Sequence, residues 1–208
     1  MPEDGSGMLE RIHQTLEWIS RRAVWVGGAA LLAAAVMVTL DVLSRKFLNV
    51  TMSGADEISG YVFAAGTTWA YSYCLLHRAN IRIDALYNFM PRWLCAVLDT
   101  VAVVLLLIYN GVLAYRAWGA FSQSWERDSV SITTLATPQW IPQLFWASGL
   151  IFFELVLVFV LLYTLVGLLR GDLDLVKRVA GVPSVAEEIE AETHGMNLQT
   201  LQTGARED

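Results

Sequence analysis

The sequence predicts an all-α integral membrane protein: four transmembrane helices, amphipathic helices at the membrane surface, and both termini in the cytoplasm. Four long apolar stretches carry the prediction, together with a charged fraction of only 16% and an uneven placement of lysine and arginine around the stretches. The stretches run from Ala23 to Leu40, Ile58 to Leu76, Trp93 to Tyr115 and Ile141 to Leu169. A helix rises about 1.5 Å per residue and the hydrocarbon core is about 30 Å thick, so each is long enough to cross.

Composition excludes a water-soluble domain, because 55% of the 208 residues are hydrophobic and eight are tryptophan. Net charge is −6, but six acids (Glu187, Glu188, Glu190, Glu192, Glu207 and Asp208) follow Pro183, so the acidity belongs to the tail and names no cationic partner. Cys74 and Cys95 lack a CxxC or Cys/His spacing and read as buried small hydrophobes. The first apolar run follows Arg21 and Arg22 and is a full span long, which reads as a retained anchor rather than a cleaved signal.

The spans are expected at about 23–45, 56–77, 92–118 and 139–169, within a membrane domain covering 23–170. An N-terminal cytoplasmic segment, 1–22, contains an amphipathic lead-in in which Leu9, Ile12, Leu16 and Ile19 form one stripe, as in helices that lie flat on a membrane. A second interfacial helix is expected at about 81–90 from Ile83, Leu86, Tyr87 and Met90, with Pro91 turning the chain into the third span. The connections on the far side are expected at 48–55 and 122–137. Residues 171–208 read as an acidic cytoplasmic tail, partly disordered, with at most a short helix. Orientation follows the retention of lysine and arginine on the cytoplasmic side. Arg11, Arg21, Arg22, Arg78, Arg82, Arg92, Arg170, Lys177 and Arg178 fall on the side of the termini, against Arg45, Lys46, Arg116 and Arg127 on the other.

Ionisable groups within apolar runs are costly, so Asp41, Asp99 and Glu154 need a reason. Asp41 precedes Arg45 by four residues, which pairs them on one helix face. Asp99 lies one to two turns inside the third span, within reach of Arg92 or Arg78. Glu154 has no partner on its own helix. Either another span or another protein supplies one, or the carboxyl is neutral, since leaving water disfavours its charge. Contact between helices or subunits is the favoured role.

The three histidines, His13, His77 and His194, are too scattered for haem or a metal, and no Walker loop, GxSxG or HExxH is present. The chain therefore reads as no enzyme, with no cofactor and no metal. Nucleic acid is not an expected partner; membrane lipid is. Four helices with interfacial aromatics also suit the membrane anchor of a quinone- or haem-linked redox complex, or a small oligomeric channel lined by Glu154. No internal repeat, direct or inverted, is apparent, whereas self-sufficient carriers often contain one.

An acidic pair, Asp56 and Glu57, opens the second span; Asn80-Ile81-Arg82-Ile83-Asp84 follows it directly; and Trp140-Ile141-Pro142 enters the last span. In that order, these elements resemble the small, DctQ-type membrane subunit of tripartite ATP-independent periplasmic (TRAP) transporters. The resemblance covers roughly Leu9 to Leu169. It implies a non-catalytic inner-membrane subunit that scaffolds a large DctM-type transport subunit, with a periplasmic solute-binding protein as third component. It further implies uptake of an organic acid or related solute by symport, usually with sodium. Arg45, Glu57, Arg82, Asp84, Trp140 and Pro142 carry over as scaffold or interface residues, joined by Asn80 and Glu154. Asn80 stands where the family commonly has a histidine; asparagine does not titrate near neutrality, so no pH-sensing role attaches to it. Asp56, Glu126, Arg127 and Asp128, on the far-side connections, are expected to help dock the binding protein.

Overall fold

A computed structural model describes residues 4–79 and 91–169, and among them it contains four helices and no strand beyond an isolated bridge. They are α1 (Asp4–Leu48), α2 (Ala55–Leu76), α3 (Arg92–Glu126) and α4 (Trp140–Leu169). The expected interfacial helix at 81–90 and the tail at 171–208 lie outside the described residues.

The principal contacts join α1 to α2, α2 to α4 and α4 to α3, so the spatial order is α1–α2–α4–α3. The third and fourth helices are neighbours through a short connection, whereas α2 sits between α1 and α4. The core follows this order. Leu75 of α2, Val103 of α3, and Phe153, Val156, Leu157, Phe159 and Val160 of α4 form one buried cluster; Ala114, Ala117, Ala147 and Leu150 form a second between α3 and α4. In α4, 44% of the apolar window is buried inside the molecule against 6% in α1, which makes α4 the axis of the bundle and α1 its most exposed member.

Two expectations about α1 change. The lead-in and the first span are one uninterrupted 45-residue helix, with no glycine or proline between Ser20 and Trp25 to break it. Ile12 and Leu16 pack against the cluster around Leu75 and Val160, so part of the stripe expected to lie on a membrane surface instead covers the bundle. At about 1.5 Å per residue, α1 is about 68 Å long and exceeds any hydrocarbon core, so one end stands outside it.

The connection expected at 122–137 is also displaced, because α3 continues to Glu126 and the loop occupies 127–139. Trp118, Phe121 and Trp125 recur at helical spacing and their rings touch in sequence, and Trp125 meets Trp140 edge-on at 4.8 Å. This aromatic ladder holds the extra turns in helical form. Both α2 and α3 then end in the same way. Arg78 (φ 53°) and Asp128 (φ 46°) turn left-handed, while Ala79 N donates to Cys74 O at 2.9 Å and Ser129 N to Ser124 O at 3.0 Å.

Length and composition allow α1, α3 and α4 to cross a membrane. At 22 residues α2 is long enough, about 33 Å, but carries more hydroxyls. Several of these are satisfied within the helix: Thr67 Oγ1 donates to Phe63 O at 2.7 Å and Thr68 Oγ1 to Ala65 O at 3.0 Å. Close approach does the rest. A Cβ on Gly27 would lie 3.3 Å from Gly66 Cα, and one on Gly149 would lie 2.8 Å from Trp69 Cδ1 and 2.9 Å from Thr68 Cβ, besides striking Thr68 Oγ1. Glycine lets both neighbours of α2 come this near.

Gly149→Ala is therefore expected to force α2 and α4 apart and to cost about 1–3 kcal/mol, the usual range for overpacking. Gly28→Ala, at a helix-interior position with nothing within 4 Å, is expected to cost nothing and to add up to about 1 kcal/mol of stability through helix propensity. Thermal unfolding of the two variants in detergent measures the contrast.

Candidate functional site: polar ties between the helices

At the end of the bundle that carries the α1–α2 and α3–α4 connections, two carboxylates organise the chain. The spacing of four residues brings Arg45 Nη2 to 2.5 Å from Asp41 Oδ2, and the other carboxylate oxygen accepts from Met52 N at 2.6 Å. Asp41 is 2% exposed. One side chain thus holds its own helix and fixes the path of the chain out of α1.

Glu57 does the same between α2 and the second connection. Its Oε1 accepts from Tyr61 Oη at 2.6 Å and its Oε2 accepts from Thr133 Oγ1. A carboxylate can only accept, so Thr133 spends its proton on Glu57, and the Ser131 hydroxyl donates to Thr133 Oγ1 at 2.8 Å. Ser131 Oγ in turn accepts from Thr133 N at 3.2 Å. Around this knot the loop closes on itself: Val130 and Pro138 form an antiparallel bridge, and Ser131 N donates to Thr137 O at 2.9 Å. Leu135 lies over Gly54, where φ is 96° and any Cβ would strike the leucine. Glu57 precedes the apolar run that begins at Ile58. Its carboxyl is pushed down to about 2 by the hydrogen bonds from Thr133 first and Tyr61 second, against partial burial.

Trp140 and Pro142 shape the entry to α4, Trp140 through its contact with Trp125. Pro142 falls in the first turn, where a missing N–H costs nothing. Asp56, Glu126, Arg127 and Asp128 are exposed at this same end, Glu126 as the last residue of α3 rather than in a loop.

At mid-depth the structure supplies Glu154 with a partner that the sequence reading missed. Asn110 on α3 donates to Glu154 Oε2 at 2.8 Å and to Leu150 O at 3.1 Å. The signal was a lone asparagine in an apolar run; only the fold brings it against residues 40 and 44 positions away. Asp99 is buried two turns into α3, and the side chain of Arg92, one of its two expected partners with Arg78, lies outside the described residues. Asn80, Arg82 and Asp84 also lie outside them.

At the opposite end Glu17 of α1 lies 3.7 Å from His77, which follows α2 and stacks on Tyr73. Burial lowers the His77 pKa, with Glu17 acting in the other direction. Among the described residues no group of three or more His, Cys, Asp or Glu side chains is placed to hold a metal. The arrangement is one of ties between elements.

The folded-state pKa of Glu57 lies below its ordinary 4.5, so its hold on the loop is complete above that pH and is lost as pH falls from about 4.5 towards 2. A spin label on Ile132→Cys, in a background without Cys74 and Cys95, is expected to gain mobility over that range. Glu57→Gln should be mobile at neutral pH.

Among known families, the model for tripartite ATP-independent periplasmic transporters, DctQ component, aligns with residues 34–171. Neither curated proteins nor solved structures give a match. The alignment takes in the last third of α1, all of α2, α3 and α4, and every tie from Asp41 to Glu154. The chain belongs to the DctQ family, the membrane component of tripartite transporters that accompanies a DctM subunit and a solute-binding protein.

Proposed function

We propose that this chain is the small, non-transporting membrane subunit of its system, a fixed frame for a DctM-type large subunit. The large subunit moves a small organic acid or related solute delivered by a periplasmic binding protein. Uptake runs on an ion gradient, sodium being the expected coupling ion. The frame sits in the bacterial inner membrane with α2 as a fourth crossing and both termini cytoplasmic, as the placement of arginine and lysine favours.

One observation carries the reading: α2, α3 and α4 are each tied to a neighbour or a connection by side chains far apart in sequence. Glu57 joins α2 to the α3–α4 loop, Asn110 joins α3 to α4, and Trp69 Nε1 of α2 donates to Phe145 O of α4 at 3.1 Å. A bundle fixed at one end and at mid-depth suits bracing better than motion. Gly27 and Gly66 are used between α1 and α2, whereas Gly28 and Gly60 face open space. The exposed charges at the connection end, Asp56, Glu126, Arg127 and Asp128, are placed to steer the binding protein.

Vesicles containing all three components are expected to accumulate solute, and omission of the small subunit should lower uptake at least tenfold. Accumulation by vesicles holding this chain alone would contradict the reading. Charge reversal at both Glu126 and Asp128 is expected to slow uptake and flatten its dependence on salt; unchanged uptake and salt dependence remove the steering role.

A further inference from the structure

Asn110 is the nineteenth of 35 residues in α3 and Glu154 the fifteenth of 30 in α4, so both stand at the midpoints of their helices. A carboxyl at that depth faces hydrocarbon unless a neighbour covers it, and there each of its oxygens needs a partner. Only one oxygen has one. Oε2 accepts from Asn110, while Oε1 accepts no hydrogen bond among the described residues and rests against the backbone of Gly111, where a Cβ would come within 3.1 Å of it. Glu154 is partly exposed, so the carboxyl stands at the α3–α4 seam rather than inside the core.

The groove has a definite wall on each side. Ile108, Gly111 and Tyr115 share one face of α3 at three- and four-residue spacing, and Val158 follows Glu154 by one turn on α4. Ile108 is 59% exposed and Tyr115 76%, with the small Gly111 between them and the Glu154 carboxyl over it. Small residues on a helix face allow another helix to approach closely.

We propose that this groove seats a transmembrane helix of the large subunit, and that the helix presents a hydrogen-bond donor to Glu154 Oε1. The assignment rests on the bracing role above and adds to it a face, a depth and a chemistry. A second copy of this chain would have to offer a donor other than Asn110, whose amide hydrogens are both committed, such as the exposed Tyr115 hydroxyl, and its adducts are an outcome of the test below. Lipid acyl chains offer no donor at all.

The test uses the complete system in native membranes, with a photoreactive benzophenone amino acid at Val158 or at Ile108. Irradiation is expected to join either position to the large subunit. Adducts with a second copy, or with lipid alone, would overturn the proposal, provided the unlabelled chain still brings the large subunit down. If the wild-type chain brings down no large subunit, the bracing role itself fails, which is a different result. In parallel, Glu154→Gln keeps a carbonyl for Asn110 but puts an NH2 in place of the other oxygen, so it is expected to reduce recovery of the large subunit at least tenfold, as is Glu154→Leu. Full recovery with Glu154→Leu would also overturn the assignment.

Discussion

The approach of α2 to its two neighbours is the contact on which the rest of the molecule depends. Of the four long helices described, this is the one without a stretch apolar enough to count as a span by composition, and it lies between α1 and α4 with glycine at the crossing on each side, Gly27–Gly66 and Gly149 against Thr68 and Trp69. Without those close contacts its hydroxyls would face a wider, emptier interface. In lipid the apolar driving force between helices is largely absent, so tight packing is the main source of association. Removing a well-packed contact in this way costs about 1–3 kcal/mol. A single interhelical hydrogen bond in a membrane averages about 0.6 kcal/mol. Packing therefore holds the bundle, and the polar ties set its register.

That division of labour explains where the ties lie. Asp41 and Glu57 act at the connections, where the chain leaves the helices and water competes, and each joins one hydrogen bond within its own helix to one that holds a loop in place. Asn110 and Glu154 act at mid-depth, where no water competes and a single amide joins two helices. A frame built this way keeps its shape under load from a moving companion, which is the role proposed for a DctQ component.

Local features were legible in the sequence and distant ones were not. The Asp41–Arg45 contact follows from a spacing of four residues, and the lengths of the apolar runs locate all four long helices. The resemblance drawn from the Asp56-Glu57 and Trp140-Ile141-Pro142 elements agrees with the family match. The partner of Glu57 is 76 positions away, and that of Glu154 is 44, so neither could be read from periodicity. Helix ends were misplaced for a physical reason. The lead-in into α1 has no breaker, and the last turns of α3 are held by an aromatic ladder that reaches across to Trp140, a contact outside any local window. Gly27 and Gly28 look alike in sequence, and only the rotation of α1 sends one inward and the other outward.

Four crossings, and with them a frame whose connections share one face, require α2 to traverse the membrane. Single cysteines at Ser53 and Ala79, just beyond its two ends, test this directly in intact right-side-out vesicles with an impermeant maleimide, again in a background without the native cysteines. Labelling at position 53 from outside, with position 79 reacting only after the vesicles are opened, is the expected result. Labelling of both positions from one side would contradict it.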